Sequence, residues 1–260
     1  MESGRDRDAR KWGLVTGASR GIGRAIAVRM ASDGYDVALV ARSRDLLEGV
    51  AEECRALGVA ADVYVADHGI RPQMDAVAGA VLARGRPLDA LVLNAGVAGL
   101  TPIASPSLTE FERQIEVNLV APIRLTRALL SAMRSPGRVV AIASVLARFG
   151  APQVHGYCAS KAGLMGFVRS LALDLARAKI TVNAVLPGWV ATDMAEQSIA
   201  AQAANMGMTP QEARSQFEAN VPLGRFLLPE EVAHTVAFLL SEGACGITGQ
   251  GLAVCGGVLA

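Results

Sequence analysis

The sequence predicts a single α/β domain, a doubly wound parallel sheet of about seven strands with helices on both faces. Three observations carry this expectation. Short apolar runs alternate with longer amphipathic segments along the 260 residues, the pattern left by right-handed strand–helix–strand crossovers. Hydrophobic residues make up 52% of the chain, which suits strands covered on both faces and apolar throughout. A glycine-rich turn directly follows the first apolar run, where an open α/β sheet presents its ligand-binding end.

The elements follow in order. "WGLVT" (12–16) is the first strand and leads through the glycine-rich turn into a helix ending near Asp33. "DVALVA" (36–41) is the second, followed by a helix whose apolar face is Leu46, Leu47, Val50, Cys54 and Leu57. "AADVYVA" precedes a helix over about 70–84, and "LDALVLN" (88–94) is a further buried strand. Thr109 with Glu112 has the spacing of a capping box at a helix start. "GRVVAIAS" (137–144) and "ITVNAVLP" (180–187) continue the series, and "LAVCGG" supplies the last strand. Between them, "YCASK" (157–161) opens a long apolar helix. "TPQE" (209–212) places Thr at the N-cap, Pro at the first helical position and Glu three after the cap. Residues 190–222 therefore form a helical insertion beyond a strand's carboxyl end, either a substrate lid or a structural helical hairpin. Residues 1–11 are expected to be a loose, charged leader, and 12–260 to form one domain.

The totals exclude several classes. With 25 Lys and Arg against 24 Asp and Glu, net charge is +1; no dense basic run with interleaved aromatics appears, so nucleic acid is not an expected partner. No stretch reaches the roughly 18 uninterrupted apolar residues of a membrane span. The opening "MESGRDRDARK" lacks the apolar core of a secretory signal. Cys54, Cys158, Cys245 and Cys255 have no metal-binding spacing. Neither a metal nor a disulfide framework is expected, and a cytoplasmic location is.

In "TGASRGIG" (16–23), Gly17, Gly21 and Gly23 allow a tight turn whose N–H groups can meet a pyrophosphate at the positive end of a helix. Tyr157 and Lys161 are four apart and share one helix face. Alone, that pair reads equally as a solvated surface contact or a core Tyr with a chance neighbour. The order of motifs decides the context. The turn's T-G-x-x-x-G-x-G spacing, "NAG" (94–96), Asn118 in "VNLVAP", Ser144 and Tyr-x-x-x-Lys together resemble the short-chain dehydrogenase/reductase family over nearly the whole chain. Its tail from "VPLGRF" to "GITGQ" is similar to that of 3-ketoacyl reductases, including polyketide ketoreductases.

The resemblance implies a Rossmann-like fold and a dinucleotide site. Ser19, Arg20 and Ile22 in the turn, Asp67 at the adenine, Asn94, Ala95 and Gly96 along the adenine ribose, and Pro187, Gly188, Val190 and Thr192 at the nicotinamide carboxamide would line it. Two departures stand out: Leu93 replaces an Asn, and His68 occupies a usually apolar position. Where an acid would end the second strand to bind a ribose hydroxyl, the chain has Ala41 and then Arg42. Arg42 and Arg20 offer two guanidinium forks for a 2′-phosphate with no carboxylate opposing them, favouring NADP(H), with NAD(H) the alternative. The other reading is that both arginines are solvated surface groups.

Ketone reduction requires a proton for the developing alkoxide. Tyr157 becomes a competent acid if the Lys161 ammonium and the oxidised nicotinamide stabilise its phenolate. Ser144 donates to the substrate oxygen. By resemblance, Lys161 also binds the nicotinamide ribose and Asn118 holds a water that resupplies protons. Each has a bland alternative, Ser144 as a turn cap and Asn118 as a bond to buried backbone. Leu146, Gln153 and Trp189 are candidates for the substrate wall; His155 is a substrate contact or a loop cap, and His234 a packed helix residue. The leading expectation is an NADPH-dependent reductase of a 3-oxoacyl thioester or related ketone, assembled as a homotetramer through the helix of Tyr157. An NAD-dependent secondary-alcohol dehydrogenase and a non-catalytic dinucleotide sensor are the alternatives.

Overall fold

The computed structural model describes residues 10–260. Seven strands, β1 (Trp12–Thr16), β2 (Asp36–Ala41), β3 (Ala61–Val65), β4 (Leu88–Leu93), β5 (Met133–Ile142), β6 (Ile180–Pro187) and β7 (Gly251–Val254), form one parallel sheet in the order β3-β2-β1-β4-β5-β6-β7. Order reverses between β1 and β4, so their carboxyl ends open a crevice.

Side-chain alternation divides the core. Val15, Val37 and Leu39 pack with helices α1 (Gly21–Ser32), α2 (Arg44–Ala56) and α9 (Pro229–Leu240) on one face. Leu14, Ala38, Val40 and Leu91 pack with α3 (Arg71–Leu82), α5 (Ala121–Leu129) and α6 (His155–Leu175) on the other. Leu14, Leu39 and Leu91 are fully buried; truncating such a leucine to Ala costs about 2–5 kcal/mol. Two more helices, α7 (Asp193–Met206) and α8 (Pro210–Ala219), form the predicted insertion with a small core of its own, Ile199, Ala203, Ala213 and Phe226.

Three expectations are corrected. The Thr109–Glu112 box does not form, because helix α4 (Thr109–Ile115) takes Leu108 as its N-cap, while the Ser107 hydroxyl accepts the Thr109 N–H at 3.2 Å. Residues 10 and 11 are not loose leader: the Lys11 carbonyl accepts from Asp36 N at 2.9 Å and the Arg10 carbonyl from Arg86 at 2.6 Å. The rest of the predicted leader lies outside the described residues. Strand β5 ends at Ile142, two residues before Ser144, which instead starts a short 3₁₀ turn.

Candidate active site

The glycine-rich turn is built for a close approach. Gly17 (φ 67°) and Gly21 (φ 54°) hold left-handed backbone that other residues adopt at a cost. Gly23 has no room for a side chain, since a Cβ there would lie 2.1 Å from the Gly17 carbonyl oxygen. Asn94 braces the turn from β4: its side-chain amide donates to the carbonyls of Thr16 (2.9 Å) and Gly17 (3.2 Å). Thr16, fully buried, accepts the N–H groups of Asn94 and Ala95 on its hydroxyl, both at 3.0 Å. Ser19 and Ile22 lie half-buried in the same turn. A bare turn before the α1 N-terminus, backed by a rigid asparagine, fits a dinucleotide pyrophosphate. Leu93 joins the apolar core without disturbing this.

The two arginines are not unopposed, which corrects the reading above. Arg20 pairs with Asp193 at 3.0 Å and Arg42 lies 3.7 Å from Asp67. Both pairs are mostly exposed, so each carboxylate holds its arginine only weakly. Asp67 also accepts the Gly69 N–H at 2.9 Å. Beside it His68 is buried with neither ring nitrogen bonded, and desolvation lowers its pKa to about 4.

Past β6, Gly188 abuts Cys255, a Cβ there falling 3.0 Å from the Cys255 Cα, and its N–H donates to Val254 at 3.0 Å. Pro187 and Val190 are buried. Thr192 caps α7, accepting the Ala195 N–H at 3.3 Å, and its methyl faces Gly21. The segment after β6 thus lies directly against the glycine-rich turn.

Across the crevice, α6 carries Tyr157, half-buried, and Lys161, buried. Lys161 Nζ donates to the Ile142 carbonyl at 2.8 Å and stands 5.6 Å from the Tyr157 ring centroid. Ser144 is buried; its hydroxyl accepts the Leu146 N–H at 3.1 Å, and its side chain is a polar neighbour of the Tyr157 phenol. Burial pushes the phenol up to about 12, with Ser144 acting in the opposite direction, and pushes Lys161 down to about 8. Desolvation is the larger cause at Tyr157, and the Lys161 ammonium is turned toward the Ile142 carbonyl.

Asn118 sits in a π-helical turn (Glu116–Val120) between α4 and α5. Its side chain grips both main-chain groups of Val97 at 2.8 Å and donates to Ser160 at 3.1 Å. A Cβ on Gly96 would come 3.3 Å from Asn118 Oδ1 and 3.4 Å from Lys161 Nζ, so these three residues meet at one point. The Trp189 ring is stacked between Phe217 (4.9 Å) and Phe226 (5.3 Å), making it the base of the α7–α8 insertion. Gln153 accepts from Asn205 of α7 at 2.9 Å, and His155 bonds the Thr101 carbonyl at 2.7 Å, the loop-cap alternative. His234 lies on α9 but is exposed, which corrects the expectation of a packed helix residue.

Sequence reasoning missed Thr16, Thr101, Gln114 and Ser160, all buried polar residues. Thr16 was legible as the residue opening the glycine-rich motif; Thr101 and Gln114 bond segments remote in sequence, and Ser160 joins the Tyr157 carbonyl to Asn118.

A family model described as enoyl-(acyl carrier protein) reductase matches residues 17–259. The chain belongs to the short-chain dehydrogenase/reductase family. It is accordingly an NAD(P)-dependent oxidoreductase. Among members of this family, a variant of actinorhodin polyketide ketoreductase solved with NADPH superimposes with TM-score 0.91 at 39% identity, covering 96% of this chain and 98% of that one. Levodione reductase superimposes with TM-score 0.88 at 31% identity, covering 95% and 96%. A 3-oxoacyl acyl-carrier-protein reductase of Staphylococcus aureus is 36% identical over 251 residues, 95% of this chain and 98% of its own length.

Proposed function

We propose that this protein reduces a ketone to a secondary alcohol with NADPH, a 3-oxoacyl thioester or related cyclic ketone being the substrate class. The observation that carries the reading is the placement of Ser144, Tyr157 and Lys161 together beyond the end of β5, across the switch-point crevice from the glycine-rich turn. The ketoreductases named above supply the substrate class.

The residues present fit the dinucleotide. Gly17, Gly21 and Gly23 hold the pyrophosphate; Ser19 and Ile22 line the turn; Asp67 meets the adenine; Asn94 keeps the turn in shape while Ala95 and Gly96 border the ribose; Pro187, Gly188, Val190 and Thr192 meet the carboxamide. Arg20 and Arg42 exchange exposed carboxylates for a 2′-phosphate dianion, whose greater charge makes the stronger charge-assisted bond. When bound, the reduced cofactor supplies the hydride that ends on the carbonyl carbon.

The chain's own residues manage the proton. Ser144 donates to the carbonyl oxygen and steadies its developing charge. The Tyr157 phenol, fully protonated at neutral pH, passes its proton to that oxygen. Lys161, mostly cationic below about pH 8, stabilises the phenolate left behind. Asn118, anchored by Val97 and Ser160, holds the resupply path near Lys161. Leu146, Gln153 and the Trp189 platform border the substrate, and α7 and α8 form the lid that excludes water. The reading extends to a cytoplasmic homotetramer: no helix among the described residues is long and apolar enough to cross a membrane, and α6 leaves Leu173 79% exposed.

The test is cofactor oxidation followed by absorbance with a panel of ketones and 3-oxoacyl thioesters. Turnover is expected to be faster with NADPH than NADH, and Arg42→Ala to weaken NADPH binding about tenfold, the loss of one exposed charge-assisted contact. A preference for NADH that Arg42→Ala leaves unchanged contradicts the assignment.

A further inference from the structure

Helix α6 starts without a cap of its own. Its N-cap is Val154, whose side chain has no oxygen to accept an N–H of the first turn. The Gly156 N–H donates instead to Thr101 Oγ1 at 2.9 Å, from a loop 55 residues earlier. Two further contacts fasten the same residue. Thr101 N donates to the Gln153 carbonyl at 2.6 Å, a bond of the isolated parallel bridge that pairs Thr101 with Val154, and its carbonyl meets His155 Nδ1 at 2.7 Å. Thr101 is only 7% exposed, so no water competes freely for these bonds. Gln153 occupies left-handed backbone (φ 62°) at this junction, a conformation that persists where its surroundings over-determine it.

The loop carrying Thr101 is itself held at two other points. Asn118 grips Val97, and Gln114 Nε2 donates to the Gly99 carbonyl at 3.1 Å. Gly156 must stay small, since a Cβ would fall 3.1 Å from Gln114 Oε1 and 3.2 Å from the Phe111 Cα. The segment that leaves β4 through Asn94, Ala95 and Gly96 therefore ends by fixing the residue immediately before Tyr157.

We propose that Thr101 is a positioning residue: its hydroxyl supplies the missing N-cap of α6 and so sets where the Tyr157 phenol stands relative to Ser144 and to the Asn94–Gly96 wall. The inference rests on the reading of Tyr157 as the acid.

The experiment measures steady-state ketone reduction by wild type, Thr101→Val, Thr101→Ser, Tyr157→Phe and the Thr101→Val/Tyr157→Phe double variant, with melting temperatures alongside. Thr101→Val keeps shape and removes the acceptor. It is expected to lower kcat by about 10- to 100-fold, the scale of a misplaced reacting group, with KM and NADPH affinity within about twofold of wild type. Thr101→Ser restores kcat, and Thr101→Val costs nothing further once Tyr157 is Phe. A folded Thr101→Val with wild-type kcat, or with an equal loss in both backgrounds, overturns the proposal. If Thr101→Val does not fold, hydrogen exchange in wild type decides: the Gly156 amide is expected to be protected, and rapid exchange there overturns the cap. Undiminished turnover by Tyr157→Phe is a different failure, that of the acid assignment, and is read from that variant alone.

Discussion

Burial decides the ionisation of the groups that matter most at single positions. Tyr157 and Lys161 were legible as a pair from their spacing, but the direction of their pKa shifts was not, because desolvation depends on β5, the 3₁₀ turn at Ser144 and the Gly96 loop closing over them. His68 shows the same blindness. In sequence it was an odd residue beside Asp67; in the fold it is a buried imidazole without a hydrogen-bond partner. Its pKa falls from 6.5 to about 4 because burial disfavours the cation. The unfolded chain therefore takes up the proton first, so stability is full above pH 6.5 and is lost as pH falls toward 4. Urea unfolding is expected to show about 2 kcal/mol less stability at pH 5 than at pH 7 from this group, and His68→Leu to flatten that slope. An unchanged slope in the variant would place the acid sensitivity elsewhere.

Helix starts were readable where the cap is local and hidden where it is not. Thr209 and Glu212 form their reciprocal box, with Thr209 Oγ1 accepting the Glu212 N–H at 3.3 Å and Glu212 accepting the Thr209 N–H at 2.8 Å. Thr109 fails because Ser107 lies two residues upstream and moves the boundary. The π-helical turn at Asn118 and the borrowed cap of α6 follow from loop positions that no periodicity encodes. The glycine-rich turn is the opposite case, since its requirement for bare backbone is written in the residue type. Gly23→Ala tests that element: a Cβ 2.1 Å from backbone forces the turn open. The expected result is about 1–3 kcal/mol of lost stability, the range for overpacking, with a larger loss of NADPH affinity than of melting temperature. An alanine variant that binds cofactor normally would show that the turn does not need the close approach.

At the level of the molecule, a parallel sheet with its ligand-binding end at the strands' carboxyl ends was implied by the alternation of apolar runs and amphipathic segments, and the sheet has the predicted seven strands; their order was not implied. Helices α7 and α8 fall within 190–222, and the Trp189–Phe217–Phe226 stack beside them could not be foreseen, because the three aromatics are spread over 38 positions of chain. Nor could the contacts at both ends of α7, Asp193 to Arg20 and Asn205 to Gln153, which link the glycine-rich turn to the start of α6. Sedimentation equilibrium is expected to give four times the 27.0 kDa chain mass, and Leu173→Glu to lower it; a wild-type monomer would contradict a tetramer built on α6. The proposed chemistry turns on Tyr157 as the proton donor. Tyr157→Phe, assayed by NADPH fluorescence titration and ketone-dependent turnover, should bind cofactor like wild type and lose about 10²–10⁴ in rate. Turnover equal to wild type would show that another group protonates the product.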